Sequence, residues 1–184
     1  MISRYIKPII EQDIIKGKVI IIYGARQVGK TTLIKDFITD KTVYFNCDQE
    51  NIRESLTTTN LRDIRALIAD YPRVVIDEAQ RVRQIGLTLK IMYDNFPEKQ
   101  FLVTGSSSFD LSEKVAEPLT GRHFSHILYP LSLDELRPTM NPIDFYSSIS
   151  DRLIYGSYPE VVTTAGALAK EKLLESLTDS YILR

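Results

Sequence analysis

A glycine-framed segment between a buried strand and an amphipathic helix constrains this chain more than any other feature. Val19–Tyr23 is apolar, mostly β-branched and does not alternate with polar residues, which is typical of a strand covered on both faces of a parallel sheet. Gly24–Thr31 follows with the spacing G-x-x-x-x-G-K-[ST], and Leu33 and Ile34 begin a helical apolar face. This order of strand, loop and helix predicts a phosphate-binding P-loop.

The residue types in the loop suit a nucleoside triphosphate. Successive backbone N–H groups must wrap the phosphates, and side chains at Gly24 and Gly29 would obstruct that approach. We expect Lys30, exposed in the loop, to contact the β- and γ-phosphates, the Thr31 hydroxyl to coordinate Mg²⁺, and Arg26 to point into solvent. The residues predicted to bind ATP are Gly24, Ala25, Arg26, Gln27, Val28, Gly29, Lys30, Thr31 and Thr32.

A further apolar strand, Val74–Ile76, ends in two acids, as a Walker B strand does. Asp77 is predicted to bind Mg²⁺, directly or through water, and Glu78 to polarise the attacking water as a general base. The alternative is a buried strand with two solvated carboxylates at its mouth. Because this strand follows a P-loop, with a helix and a strand between them, we favour the catalytic interpretation.

Strands alternate with helices over the first 130 residues, which predicts right-handed crossovers and a sheet covered on both faces. The predicted fold is an α/β P-loop NTPase three-layer sandwich with a five-stranded, mainly parallel sheet and a C-terminal helical appendage. An Asp-Glu pair indicates the P-loop division with strand order 5-1-4-3-2, in which strand four lies between the P-loop strand and the Walker B strand. The five predicted strands are Val19–Tyr23, Thr42–Phe45, Val74–Ile76, Phe101–Thr104 and Phe124–Leu128.

The predicted fourth strand runs into a serine-rich segment. In the predicted order its tip lies between the P-loop and Glu78, where a polar side chain can contact the γ-phosphate or hold the attacking water. Ser106 is the first candidate for this sensor role, with Thr104 and Ser107 behind it. The alternative is a turn that caps a helix starting near Asp110.

Arg122 precedes the predicted fifth strand. An arginine near a nucleotide can stabilise transition-state charge, in its own chain or from a neighbouring subunit, and the alternative is a surface arginine in a turn. His123 and His126 stand three apart in or beside a strand and so face opposite sides, and without a third ligand they do not predict a metal site.

Composition limits the other function classes. Of 184 residues, 23 are Lys or Arg and 24 are Asp or Glu, so a uniformly basic nucleic-acid coat is excluded, although a local basic patch is not. Cys47 is the single cysteine, which excludes an intramolecular disulfide framework. No apolar run approaches the roughly 20 residues of a membrane span, and the start lacks the pattern of a secretory signal. We therefore expect a cytoplasmic protein without a membrane partner.

The chain becomes helical after about Pro130. We predict an ATPase core over residues 1–130 and a helical segment over 131–184, with helix starts at Ser132 and Asn141. The last helix shows one apolar face without a stop signal, which predicts a truncated lid or a linker to a further C-terminal domain. The residues of that face are Leu173, Leu174, Leu177 and Tyr181.

The ordered set of motifs resembles a family of prokaryotic AAA-like P-loop ATPases whose members usually carry a C-terminal domain of unknown function, DUF4143. The segments that carry the resemblance are Gly24–Leu33, Ile76–Gln80, Thr104–Ser107, Leu119–Arg122, Pro130–Glu135 and Gly156–Glu160. The resemblance implies an ATPase core followed by a C-terminal domain, with ATP and Mg²⁺ as cofactors. A second-sensor arginine on a complete helical lid is not identifiable.

Three other functions stay open beside ATP hydrolysis that drives or gates a C-terminal module or partner. A nucleotide-gated binding switch would hold ATP or ADP with negligible turnover. A small-molecule kinase is disfavoured because Glu78 suits the activation of water and no arginine-rich lid follows strand four. A DNA-associated ATPase receives no support from the net charge of −1. A homo-oligomer is compatible with an arginine finger supplied by a neighbour.

Overall fold

The computed structural model describes residues 2–106, 111, 114–115 and 117–182, and the side chains of 180–182 are outside this description. Ser107 and the helix start expected near Asp110 lie outside the described residues. The chain divides into two compact units, one formed by Tyr5–Leu128 and the other by Met1–Arg4 with Tyr129–Arg184.

The first unit is built on a parallel five-stranded sheet. Its strands are β1 (Val19–Tyr23), β2 (Thr42–Asn46), β3 (Arg73–Asp77), β4 (Gln100–Gly105) and β5 (His123–Ile127). The order across the sheet is β2-β3-β4-β1-β5, and every neighbouring pair is parallel. The predicted order is therefore confirmed, and β4 lies between β1 and β3. The carboxyl ends of these three strands meet at one edge, which is where ligands bind in open parallel sheets.

Helices cover this sheet. They are α1 (Ile6–Ile14), α2 (Lys30–Lys35), α3 (Glu50–Leu56), α4 (Leu61–Ile68) and α5 (Ile85–Asn95). The predicted cap of α4 is confirmed, because the Asn60 side chain accepts a hydrogen bond from the Arg62 N–H. Neither α1 nor α3 follows from the sequence patterns used above.

The core lies on the sheet and explains the non-alternating sequence of β1. Residues 19–22 have no exposed surface, because both faces of the strand are covered. Val19, Ile21 and Tyr23 point to one face, where they join a buried cluster with residues of α4 and α5. On the outer strand β5 the side chains of Ser125 and Ile127 are exposed, as expected for a strand at the edge of a sheet.

The second unit is helical. It holds α6 (Leu133–Leu136), a 3₁₀ turn (Arg137–Thr139), α7 (Pro142–Tyr155), α8 (Pro159–Thr163) and α9 (Ala167–Ile182). Both predicted helix starts are confirmed: Ser132 and Glu135 form a reciprocal capping box, and the Asn141 side chain accepts from the Asp144 N–H. On the predicted apolar face of α9, Leu177 is buried and Leu173 and Leu174 are partly exposed.

Candidate functional site

The P-loop connects β1 to α2 and has the backbone of an anion cradle. Gly29 directly precedes α2 with φ of 97°, in the left-handed region that glycine tolerates best. The helical hydrogen-bond ladder begins with the Leu33 N–H on the Gly29 carbonyl at 2.9 Å. The loop thus leads directly into a helix N-terminus, which is where P-loop proteins bind phosphate.

Gly24 is required for a reason that the motif does not reveal. A Cβ atom at this position would lie 2.4 Å from the Leu128 carbonyl oxygen and 3.0 Å from Cγ2 of Val28. The close carbonyl belongs to the residue after β5, whose N–H bonds to the Tyr23 carbonyl at 2.7 Å. Glycine is therefore needed at position 24 so that the start of the loop can pack against the backbone of Leu128, in addition to the role that the motif predicts for it.

Lys30 is buried, with only 4% of its surface exposed, so the expectation of an exposed lysine is wrong. Its ammonium donates to the carbonyls of Gly24 at 2.9 Å and Ala25 at 2.8 Å, which draw it back over the loop. Burial lowers the pKa of the Lys30 ammonium from its ordinary value, and the nearby carboxylates of Glu78 and Asp77 oppose this shift. The structure thus holds the Lys30 ammonium against the loop that would receive the phosphates.

The Asp77 carboxylate lies at the end of β3 and is only 2% exposed. It accepts hydrogen bonds from three hydroxyl groups, one each from α2, β2 and β4. Its Oδ2 accepts from the Thr31 hydroxyl at 2.8 Å and from the Tyr44 hydroxyl at 2.9 Å. Its Oδ1 accepts from the Thr104 hydroxyl. Burial, and then the bond to Asp77, raise the pKa of the Tyr44 phenol, so that it stays a donor. These contacts hold a buried carboxylate in one orientation.

Thr31 and Asp77 fit a magnesium ion. Hard oxygen ligands are what Mg²⁺ prefers, and adjacent ligands of an octahedron with bonds of 2.0–2.1 Å lie about 2.9 Å apart. The Thr31 hydroxyl oxygen and Oδ2 of Asp77 are 2.8 Å apart. Among the described residues no group of three or more His, Cys, Asp or Glu side chains could hold a metal. A magnesium ion here would therefore also need ligands from outside the protein, such as phosphate oxygens and water.

Glu78 directly follows β3 in the left-handed conformation, with φ of 56° and ψ of 39°. This conformation is uncommon outside glycine and asparagine and is held here by a specific contact, because the Glu78 N–H donates to the Thr104 hydroxyl at 3.1 Å. Oε2 of Glu78 accepts from the side-chain amide of Gln80 at 2.6 Å. The same amide donates to the Ser106 hydroxyl at 2.8 Å, so Gln80 joins Glu78 to the end of β4.

Most of the predicted site residues therefore meet at one edge of the sheet. Direct hydrogen bonds join Thr31 to Asp77, and Gln80 links Glu78 with Ser106. The sensor role of Ser106 stays a prediction. Of the remaining loop residues, Val28 is buried, Gln27 and Thr32 are exposed, and Arg26 is only partly exposed. The outward direction expected for Arg26 stays a prediction.

Arg122 is not brought to this edge. Its carbonyl accepts from the Val19 N–H at 3.0 Å, which places it at the amino end of β1, whereas the P-loop follows the carboxyl end. A five-residue strand spans roughly 16 Å. The Arg122 guanidinium forms an ion pair with Asp94 at 2.8 Å. From this position Arg122 does not fit a contact with a nucleotide bound in its own chain's P-loop. Its role as an arginine finger for a neighbouring subunit stays a prediction.

The two histidines are also apart from the site. His123 places Nδ1 2.8 Å from the Leu119 carbonyl oxygen, and His126 places Nε2 3.1 Å from Oδ2 of Asp13. Neither contact involves a second histidine or a cysteine. That the pair holds no metal stays a prediction.

Three residues have polar contacts at the site that the sequence does not predict. Thr104, a secondary sensor candidate, donates to the Asp77 carboxylate and accepts from the Glu78 backbone N–H. Gln80 belongs to the segment that carries the family resemblance but has no predicted role, and no sequence pattern indicates Tyr44. The strand register supplies the missing signal: Ile76 pairs with Val103, so Asp77 comes beside Thr104. Tyr44 lies two residues before the register partner of Asp77, on the same face of β2.

A model of the AAA domain family matches residues 16–137, about two thirds of the chain. Among curated proteins, the chain is 25% identical over 199 residues to the uncharacterized protein MJ1544 of Methanocaldococcus jannaschii, covering 99% of this chain and 45% of that protein. It is 29% identical over 212 residues to an uncharacterized protein of Haemophilus influenzae, covering 100% of this chain and 50% of that protein. The chain thus spans about half the length of the curated relatives it matches.

Among solved structures, the Walker-type ATPase PABY2304 of Pyrococcus abyssi is similar with a TM-score of 0.63 at 16% identity. The similar region covers 88% of this chain and 65% of that one, and it shows a shared fold. In the part of the chain that the structure describes, no helix has the length and apolar character to cross a bilayer. On the match to the family model, the chain belongs to the AAA domain family, with the fold of a P-loop ATPase.

Proposed function

We propose that this AAA domain binds ATP with Mg²⁺, hydrolyses it, and uses the change of nucleotide state to drive or gate a C-terminal module or a partner. The observation that carries the proposal is the convergence of Lys30, Thr31, Asp77 and Glu78 at the carboxyl edge of neighbouring strands. The greater length of the curated relatives supports a further module.

Binding follows from the loop. Lys30 exchanges its bonds to the Gly24 and Ala25 carbonyls for the β- and γ-phosphates, and the added negative charge favours its protonated form. Thr31 and Asp77 would hold a magnesium ion, which would neutralise phosphate charge. Tyr44 and Thr104 keep the Asp77 carboxylate oriented, because each donates a hydrogen bond to it.

Hydrolysis depends on Glu78. Its carboxylate takes a proton from the attacking water, and the bond from its N–H to Thr104 fixes the backbone that carries it. Ser106, at the end of β4, senses the γ-phosphate or holds the water. Arg122 acts on the nucleotide bound by a neighbouring subunit, not on the nucleotide bound by its own chain. The catalytic set proposed is thus Glu78, Lys30, Ser106 and Arg122.

A switch with negligible turnover is the second candidate, because the contacts of Lys30, Thr31 and Asp77 account for nucleotide binding whether or not turnover follows. A DNA-associated role and a cytoplasmic location are compatible with the charge balance and supported by no specific contact. Small-molecule kinase activity is the least favoured, because a general base beside the phosphates suits water as the nucleophile.

The test is steady-state ATP hydrolysis by the wild type and by Glu78→Gln, with Glu98→Gln as a matched control at an exposed position before β4. We expect Glu78→Gln to bind Mg-ATP with wild-type affinity and to lose at least about 100-fold in rate. Equal rates for Glu78→Gln and the wild type would exclude Glu78 as the base. A wild type that retains nucleotide through purification and shows no turnover would support the switch instead.

The same assay with and without duplex DNA tests the nucleic-acid alternative. Comparison with the polypeptide extended to the length of the relatives tests coupling to a further module. Coupling predicts that the extension or its partner changes the hydrolysis rate, and an unchanged rate under all conditions would contradict it.

A further inference from the structure

Gln80 lies in the 3₁₀ turn Ala79–Arg81 that follows Glu78, and its side-chain amide makes three hydrogen bonds at the site. Nε2 donates to Oε2 of Glu78 at 2.6 Å and to the Ser106 hydroxyl at 2.8 Å. Oε1 accepts from the Ser106 N–H at 3.3 Å. One amide group therefore connects the proposed base with both the backbone and the side chain of the proposed sensor.

The chemistry of the partners fixes the orientation of this amide. An ionised carboxylate only accepts hydrogen bonds, and a backbone N–H only donates. Rotating the Gln80 amide by 180° would turn Oε1 towards the Glu78 carboxylate and Nε2 towards the Ser106 N–H. Both contacts would then be repulsive, so only one orientation satisfies all three partners.

The space around Gln80 is limited as well. A Cβ atom on Gly105 would lie 3.1 Å from Oε1 of Gln80 and 2.5 Å from Cδ2 of Leu111. Glycine at the end of β4 thus allows the amide to lie beside the strand. Because the Thr104 hydroxyl holds the backbone of Glu78, Gln80 supplies the contact that holds its side chain.

We propose that Gln80 is a positioning residue that links the end of β4 to the general base. It holds Oε2 of Glu78 at a set distance from Ser106, so a displacement of Ser106 on nucleotide binding moves the carboxylate with it. This inference rests on the proposed function, because it assigns Gln80 a part in hydrolysis by Glu78.

The kinetic test is Gln80→Met, which keeps the length of the side chain and removes the amide. A hydrogen bond to a charged group contributes enough that we expect kcat to fall roughly 10- to 100-fold. The KM and affinity for ATP should stay within about threefold, since none of the contacts given for the Gln80 side chain is to Lys30 or Thr31, the residues proposed to bind the phosphates and magnesium. Gln84→Met makes the same change at an exposed position four residues later and should keep the wild-type rate.

A double substitution separates positioning from general damage to the fold. If Gln80 acts through Glu78, then Gln80→Met in the Glu78→Gln background should lower the residual rate less than about twofold. Equal and independent losses in both backgrounds would overturn the inference, as would a wild-type kcat for Gln80→Met alone.

A measurement without turnover keeps this inference distinct from the proposed function. In ¹⁵N-edited spectra of the nucleotide-free protein, the Gln80 amide resonances, assigned by their loss in Gln80→Met, should lie away from those of exposed glutamines and should move in Ser106→Ala. Resonances at the exposed position in the wild type would overturn the link. If the resonances are displaced and the protein shows no turnover, the hydrogen bonds of Gln80 to Glu78 and Ser106 exist but the proposed hydrolysis is wrong. The role of Gln80 in hydrolysis is then wrong as well.

Discussion

Removing the Thr104 hydroxyl should destabilise the protein strongly, because that single group satisfies two partners in a fully buried position. Thr104 has no exposed surface, its hydroxyl accepts from the Glu78 N–H at 3.1 Å, and it donates to Oδ1 of Asp77. Thr104→Val keeps the shape of the side chain and removes both bonds. Thr104→Ser keeps the hydroxyl and removes one methyl group.

The contacts set the expected magnitudes. An unsatisfied buried donor costs about 1–3 kcal/mol, and a lost bond to a charged group about 1.5–3 kcal/mol. Asp77 retains the hydroxyls of Thr31 and Tyr44, so we expect the valine variant to lose about 3 kcal/mol rather than the full sum. The serine variant should lose about 1 kcal/mol, the value of one buried methyl group.

Urea unfolding of the nucleotide-free protein, followed by far-UV circular dichroism, measures both variants. With a slope of about 2 kcal/mol per molar urea, a gap of about 2 kcal/mol separates the two midpoints by about 1 M. The slopes should agree with that of the wild type. A valine variant within about 0.5 kcal/mol of the serine variant would refute the view that this hydroxyl holds the two acids.

Three further results are expected. Lys30→Ala should abolish ATP binding in calorimetry while Lys35→Ala, an exposed lysine of the same helix, binds normally; unchanged affinity in Lys30→Ala would contradict the P-loop assignment. Arg122→Ala should lower the hydrolysis rate and leave ATP affinity within about threefold. A mixture of Arg122→Ala and Glu78→Gln proteins should regain activity. If both variants assemble and the mixture stays inactive, Arg122 does not act on a neighbouring subunit. Burial raises the pKa of the Cys47 thiol to about 12, so a disulfide reagent at pH 8 should react fast only in urea, and rapid native labelling would show an accessible thiolate.

The sequence predicts the sheet well because its determinants are local and repeated. Buried strands read as continuous apolar runs, and β1 and β3 each end in residues whose chemistry marks the same edge. The helix caps at Asn60, Ser132 and Asn141 are equally local, since each involves a backbone N–H two or three residues away. Patterns of this kind need no knowledge of what packs beside them.

Elements without such a pattern escape prediction. In α3 only Leu56 is fully buried and Ile52 packs partly buried against the core, so its apolar face is too short to detect. In α1, the buried residues Ile10 and Ile14 are accompanied by Ile9, half of whose surface is exposed, which blurs the period. The sequence does not predict the burial of Lys30 for another reason. The carbonyls of Gly24 and Ala25 come within hydrogen-bond distance of its ammonium only when the loop is folded.

The arrangement around Asp77 shows where prediction from motifs stops. The motif identifies the acid, and the strand order identifies the edge, but the orientation of the carboxylate depends on hydroxyls from α2, β2 and β4, which lie 46, 33 and 27 residues away in sequence. Hydroxyl groups are common in any chain: the strand register selects Tyr44 and Thr104, and the position of α2 selects Thr31. A slip of one residue between β3 and β4 would turn Thr104 to the other face and leave the acid without that partner. The register between β3 and β4 and the orientation of the Asp77 carboxylate therefore depend on each other, which is why a substitution at Thr104 tests both.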